Sequence, residues 1–94
     1  MQVTVRLFGA ARVIIGQPHV NISFDTPTIT LSQLLEQLIA TYPRVQPYLL
    51  DESRQIPSSI RVLINHIRPN PDATLTTVLH DEDHVTLLLA VAGG

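Results

Sequence analysis

Only one long stretch of this chain has the period of a helix, and it lies between stretches that alternate every second residue. Leu31, Leu34, Leu35, Leu38, Ile39 and Tyr42 recur at i, i+3, i+4, i+7, i+8 and i+11, which gathers them on one stripe of an α-helix. Thr30 and Gln33 supply a T-x-x-Q capping box at its start, and Pro43 disfavours helical geometry at Tyr42 and so ends it. On either side the period is two. Val3, Val5 and Leu7 oppose Thr4, Arg6 and Phe8 in a first strand, and Val20, Ile22 and Phe24 alternate with Asn21 and Ser23 in a second. Ile60 to Asn65 reads as a third strand, and the apolar run from Val85 to Ala92 as a buried final one. One helix cannot cover both faces of a sheet, so it must pack across one face and leave the other open.

The connecting segments are short or polar. Gly9 to Gly16 is long for a tight turn and predicts a short helical turn packed by Val13 and Ile14. Residues 43–59, with Pro47 and Pro57, read as a loop with one irregular turn at Tyr48-Leu49-Leu50. Asn65-His66 is a turn into a short edge strand at Ile67-Arg68, which Pro69-Asn70-Pro71-Asp72 breaks. Thr76 to Leu79 reads as a helical turn, and Asp81-Glu82-Asp83 as a turn feeding the last strand. The order is then strand, strand, helix, strand, short strand, strand, with the first and last strands parallel at the centre by right-handed crossover. This predicts an α+β chain of β-grasp, or ubiquitin-like, architecture: a mixed sheet of about five strands with one main helix on one face. No repeat or linker divides residues 1–94, which are expected to form one domain ending in a flexible tail at 91–94.

Composition removes several function classes. Hydrophobic residues make up 45% of the 94 and charged residues 15%, as in an ordinary folded domain. The six basic residues are all arginine, scattered at 6, 12, 44, 54, 61 and 68 against a net charge of -2, so no nucleic-acid footprint is expected. Cysteine is absent, which removes disulfides, thiolate metal sites and cysteine nucleophiles, and absent lysine removes a Schiff-base amine. The N-terminal residues lack a signal-peptide pattern, and no apolar run approaches about 20 residues, so the expectation is a cytoplasmic chain with no membrane partner.

Strand parity identifies what the open face carries. With Val3, Val5, Leu7, Ile60, Val62, Ile64, Val85, Leu87 and Leu89 turned inward, Phe8, Leu63 and Leu88 are left outside as an apolar patch bordered by Arg6 and Arg61. Such a patch is the pattern of a partner-binding surface. The alternative is that the loop at 43–59 folds over this face and makes these residues core.

The chain closes on Val91-Ala92-Gly93-Gly94. Without a Cβ, a Gly-Gly tail can lie extended in a slot too narrow for other residues and deliver its carboxylate to a reacting ligand, although small residues at a chain end are also tolerated without function. This ending and the element order together resemble the sulfur-carrier branch of the ubiquitin-like proteins, most closely the MoaD-type small subunit of molybdopterin synthase. Leu7-Phe8-Gly9-Ala10-Ala11-Arg12 resembles that family's first-strand ending, Thr30-Leu31-Ser32-Gln33-Leu34-Leu35 its helix start, and Val62-Leu63-Ile64-Asn65 its third strand. Asp81-Glu82-Asp83-His84-Val85 is similar to its acidic turn. The chain departs from the family pattern at His66, at Glu82 and at Leu89-Ala90, where Gly, Gly and prolines are frequent.

The resemblance implies a carrier and not a self-contained enzyme. Gly94 would be joined to AMP by an E1-like adenylating enzyme using ATP and Mg²⁺, then converted to a thiocarboxylate with sulfur from a donor protein. The tail, Val91, Ala92, Gly93 and Gly94, would insert into the molybdopterin synthase large subunit (MoaE type) and give its sulfur to a pterin precursor of the molybdenum cofactor. Extended, those four residues span at most about 14 Å. This chain itself would bind no cofactor. The alternatives are a carrier for thiamine or cysteine biosynthesis, a ubiquitin-like protein modifier and a plain binding module. Other candidates are weaker: His80 and His84 bracket a strand entry where their side chains need not converge on a metal, the acidic residues between them read as a solvated turn, and His19 and His66 are isolated. Gly9 and Gly16 make no phosphate loop, because G-K-[ST] is missing.

Overall fold

The computed structural model describes residues 1–89. Its elements in chain order are β1 (Gln2–Gly9), α1 (Ala10–Ile15), β2 (His19–Ser23), β3 (Thr28–Thr30), α2 (Leu31–Thr41), α3 (Gln46–Leu49), β4 (Ile60–Ile64), β5 (Val78–His80) and β6 (His84–Leu89), with 3₁₀ turns at Pro43–Val45 and Thr74–Thr76. Four strands form a mixed sheet in the order β2-β1-β6-β4, and β1 and β6 are its parallel central pair, as the crossover argument requires. β2 and β4 flank them antiparallel.

α2 follows its sequence signals closely. The Thr30 hydroxyl accepts from the Gln33 amide at 3.2 Å while the Gln33 side-chain oxygen accepts from the Thr30 amide at 2.8 Å, so each satisfies a donor the other end of the turn leaves free. Leu31, Leu34, Leu35 and Leu38 are buried, and they meet the inward row of the sheet: Val3, Val5, Leu7, Val85 and Leu87, none more than 1% exposed. Tyr42 leaves helical geometry at φ -129°, one residue before Pro43.

Four details differ from the sequence reading. Thr28–Thr30 and Val78–His80 pair antiparallel as a separate two-stranded ribbon, with Ile29 and Leu79 opposite each other and both buried. Thr76 to Leu79 is therefore not a helical turn; the 3₁₀ turn ends at Thr76 and the chain extends where Leu79 can reach the core. Ile67-Arg68 is not a strand either: Ile67 alone bridges back to Ile64 across the Asn65-His66 turn, and Pro69 lacks the donor that continued pairing needs. α1 packs through Ala11 and Ile15, with Ile14 partly buried against the core as expected, but leaves Val13 81% exposed, because the helix begins one residue after Gly9 and that start sets which face turns inward. In 43–59, Val45, Leu49 and Leu50 are buried beside α1 and α2, and Tyr48 points out.

Candidate functional site

The open face is built from the outward residues of β1, β6 and β4. Phe8, Leu88 and Arg61 are Cα partners in one row across the three strands, and Arg6, Thr86 and Leu63 form the next. Phe8 and Leu88 are each 43% exposed, Leu63 is half-buried, and both arginines are exposed. The residues of 43–59 that enter the core do so on the helix side, which leaves the Phe8–Leu88 pair uncovered. Adjacent partners in a parallel pair and the diagonal neighbour lie within side-chain reach, so the three apolar groups form one surface.

This surface opens into a cleft of about 890 Å³ that runs along β4, an edge strand of the sheet. Gln55–Ser58 borders it on one side and residues 68–76 on the other, and Leu75, Arg61 and Arg68 line it together with Phe8, Leu63 and Leu88. Ladder alternation makes it more than an apolar depression. Ile64 exchanges both backbone hydrogen bonds with Ile67, away from β6, so Val62, two residues earlier, turns its N–H and C=O to that same outer edge.

Val91, Ala92, Gly93 and Gly94 lie outside the described residues. Leu89, at the end of β6, is the partner of Gly9 on one side and Ile60 on the other, one residue beyond the Phe8–Leu88–Arg61 row. The root of the tail and the apolar surface are thus neighbours on the same strand.

The turn at residues 81–83 is not merely solvated. The Asp83 carboxylate accepts from the Asn65 side-chain amide at 3.0 Å and the His80 backbone amide at 2.8 Å, while the Asn65 side-chain oxygen accepts from the His84 amide at 2.9 Å. Asp81 accepts from the Gln2 amide at 2.7 Å. These acids tie β5, β6 and the β4 turn together, with Glu82 in the left-handed region at φ 66°. The Asn65-His66 turn, with both residues at positive φ, brings the Asn65 side chain beside them. His80 stands 3.9 Å from Asp83 on the β3–β5 ribbon and His84 stands on the main sheet. Among the described residues no group of His, Asp and Glu is arranged to hold a metal ion. No helix there is long and apolar enough to cross a membrane.

The model of the ThiS family matches residues 5–94. The chain belongs to the ThiS family. Membership in the ubiquitin-like sulfur-carrier family, which the sequence motifs resemble, is thereby shown. Solved structures carry the same fold: small archaeal modifier protein 1 from Haloferax volcanii superposes with a TM-score of 0.84 at 20% identity over 100% of both chains. The same-named protein from Methanosarcina acetivorans is 28% identical, covering 99% of this chain and 96% of its own, with a TM-score of 0.78. CysO from Mycobacterium tuberculosis is 29% identical over 95% of this chain and 99% of its own, with a TM-score of 0.76. No curated protein matches the chain. This ThiS-family member is a β-grasp protein built from the four-stranded sheet, its helix α2 and the β3–β5 ribbon.

Proposed function

We propose that this ThiS-family chain carries sulfur on Gly94 as the small subunit of molybdopterin synthase. The observation that carries the reading is the adjacency just described: the strand that leads to the tail also presents Leu88 beside Phe8, so an enzyme that grips the open face holds the root of the tail at the same time. An E1-like enzyme docks there and attacks ATP with the Gly94 carboxylate, forming an acyl adenylate and releasing pyrophosphate; Mg²⁺ and cations of that enzyme offset the phosphate charge. The terminal sulfur of a donor protein's persulfide attacks the adenylate carbonyl and expels AMP, giving an acyl disulfide; a second thiol of the partner then breaks its S–S bond, forming a disulfide with the donor cysteine and leaving Gly94 as a thiocarboxylate. The same face then docks on the MoaE-type large subunit, whose pocket receives Val91 to Gly94. This chain supplies the grip and the reactive end group, and its partners supply the acid–base chemistry.

A second reading has an observation of its own. The 28% identity to a small archaeal modifier protein over nearly the whole chain favours attachment of Gly94 to lysines of other proteins. The chain has no lysine, so it would tag targets singly and not build lysine-linked chains on itself. The two readings separate on the partner. Affinity isolation from the native cell is expected to recover a molybdopterin synthase large subunit, and removal of Gly94 is expected to abolish adenylation with the fold intact. Recovery of lysine conjugates without that subunit would overturn the first reading.

A further inference from the structure

We infer that the outer edge of β4 accepts an extended segment of a partner protein as an added antiparallel strand, with an apolar side chain against Leu63 and, two residues later, a carboxylate against Arg61. The inference stands apart from the carrier reading, because it involves no chemistry at Gly94. β4 gives the backbone groups of Arg61 and Leu63 to β6, so Ile60, Val62 and Ile64 turn theirs to the outer edge. Ile64 is paired there with Ile67, and the Ile60 N–H is turned back to the Pro57 carbonyl at 3.3 Å. The Val62 N–H and C=O and the Ile60 C=O have no backbone partner among the described residues. Such a row of unanswered groups on a strand edge is a template for pairing with another chain.

The hairpin cannot close this edge itself. Had the antiparallel pairing of Ile64 with Ile67 continued, Pro69 would lie opposite Val62 and Pro71 opposite Ile60, and neither proline has an N–H to give. Both prolines stand instead in the wall of the cleft, across from Gln55–Ser58. A visiting strand about 4.8 Å from β4 takes the place those prolines forgo, and Ile67 limits its pairing to about four residues. Opposed residues share a sheet face, so the residue opposite Val62 turns inward, while those before and after it turn outward, opposite Leu63 and Arg61. The first extends the apolar surface of Phe8, Leu63 and Leu88. The second meets a cation: Arg61 and Arg68 line the cleft against a single acid, Asp72, and neither arginine is ion-paired among the described residues. Charge therefore selects an acidic segment, and the unanswered backbone groups select an extended one.

The probe is the acetylated, amidated peptide Ser-Ile-Thr-Glu-Val-Ser, whose Ile is placed for Leu63, Thr for Val62 and Glu for Arg61. It is titrated into the isotope-labelled full chain and followed by NMR. The expected result is a Kd of about 1 mM or tighter, with a shifted and more slowly exchanging Val62 amide. N-methylation at the peptide's Thr removes the donor for the Val62 carbonyl and obstructs strand approach while keeping every side chain, and Kd is expected to rise about tenfold or more. Replacing the peptide's Glu by Gln, or Arg61→Gln in the protein, raises Kd about threefold, and the two changes together little further. Equal binding of the N-methylated peptide overturns the inference, because the peptide would then dock by side chains alone. So does a complete absence of shifts at about 5 mM peptide. So do shifts that leave Val62 untouched, and so does equal binding of the peptide in reversed order, which would refute the antiparallel register. Failure of the carrier reading looks different: a chain whose Gly94 is never adenylated would still bind the peptide.

Discussion

Phe8→Ala tests the proposed docking face with a magnitude that follows from its surroundings. Phe8 is 43% exposed beside Leu88, which is equally exposed. Of about 200 Å² on a phenylalanine side chain, that leaves about 90 Å² for a partner to cover, worth about 2 kcal/mol at about 25 cal/mol per Å². Truncation to alanine keeps about a quarter of that contact, so binding weakens by about 1.5 kcal/mol, or a factor of about 10. The assay is steady-state adenylation by the activating enzyme that the proposed carrier function requires, supported by calorimetric titration of the two proteins. KM and Kd rise about tenfold and kcat is unchanged, because the tail's reactive end is untouched. Val13→Ala serves as the reference, since Val13 is 81% exposed but lies on α1 and outside the docking face. Equal, negligible effects of Phe8→Ala and Val13→Ala would refute the reasoning, as would a fall in kcat at constant KM.

Three further outcomes test the scaffold. Thr30→Ala removes one half of the reciprocal cap on α2 and is expected to cost about 1 kcal/mol in urea unfolding, with most of the loss absent in a Gln33→Ala background. Asp83→Ala leaves the Asn65 and His80 amides without their carboxylate partner; a loss of about 2 kcal/mol is expected by the same measurement, together with faster hydrogen exchange at His80. Leu79→Ala opens a cavity under the β3–β5 ribbon, where Leu79 is fully buried, and should cost about 2 to 5 kcal/mol by thermal or chemical denaturation.

What could be read from sequence was whatever repeated over enough residues to reveal a period. The eleven-residue α2 and the alternation in β1, β4 and β6 carry their own face assignments, so the buried rows and the outward Phe8, Leu88 and Arg61 follow directly. β3 and β5 were missed because each has three residues, too few for alternation, and because their pairing depends on Ile29 and Leu79 meeting across a long separation in sequence. α1 shows a different limit. Its helical character was legible, but the choice of Ala11 and Ile15 over Val13 depends on where Gly9 turns the chain, which periodicity over six residues does not specify. The role of Asp83 was hidden for a related reason: an acid in a turn looks the same in sequence whether its carboxylate meets water or the amides of Asn65 and His80. At the site, sequence parity supplied the patch, whereas the cleft along β4 needed the placement of residues 55–58 and 68–76, which have no periodic pattern.

The central claim is that Gly94 carries sulfur, and intact-mass analysis of the chain purified from its own cells under anaerobic, non-reducing conditions tests it most directly. The account predicts a species in which one oxygen of the C-terminal carboxylate is replaced by sulfur, lost when Gly94 is removed. A terminus that remains an ordinary carboxylate in active cells, with its Gly-Gly remnant found instead on lysines of other proteins, would contradict it.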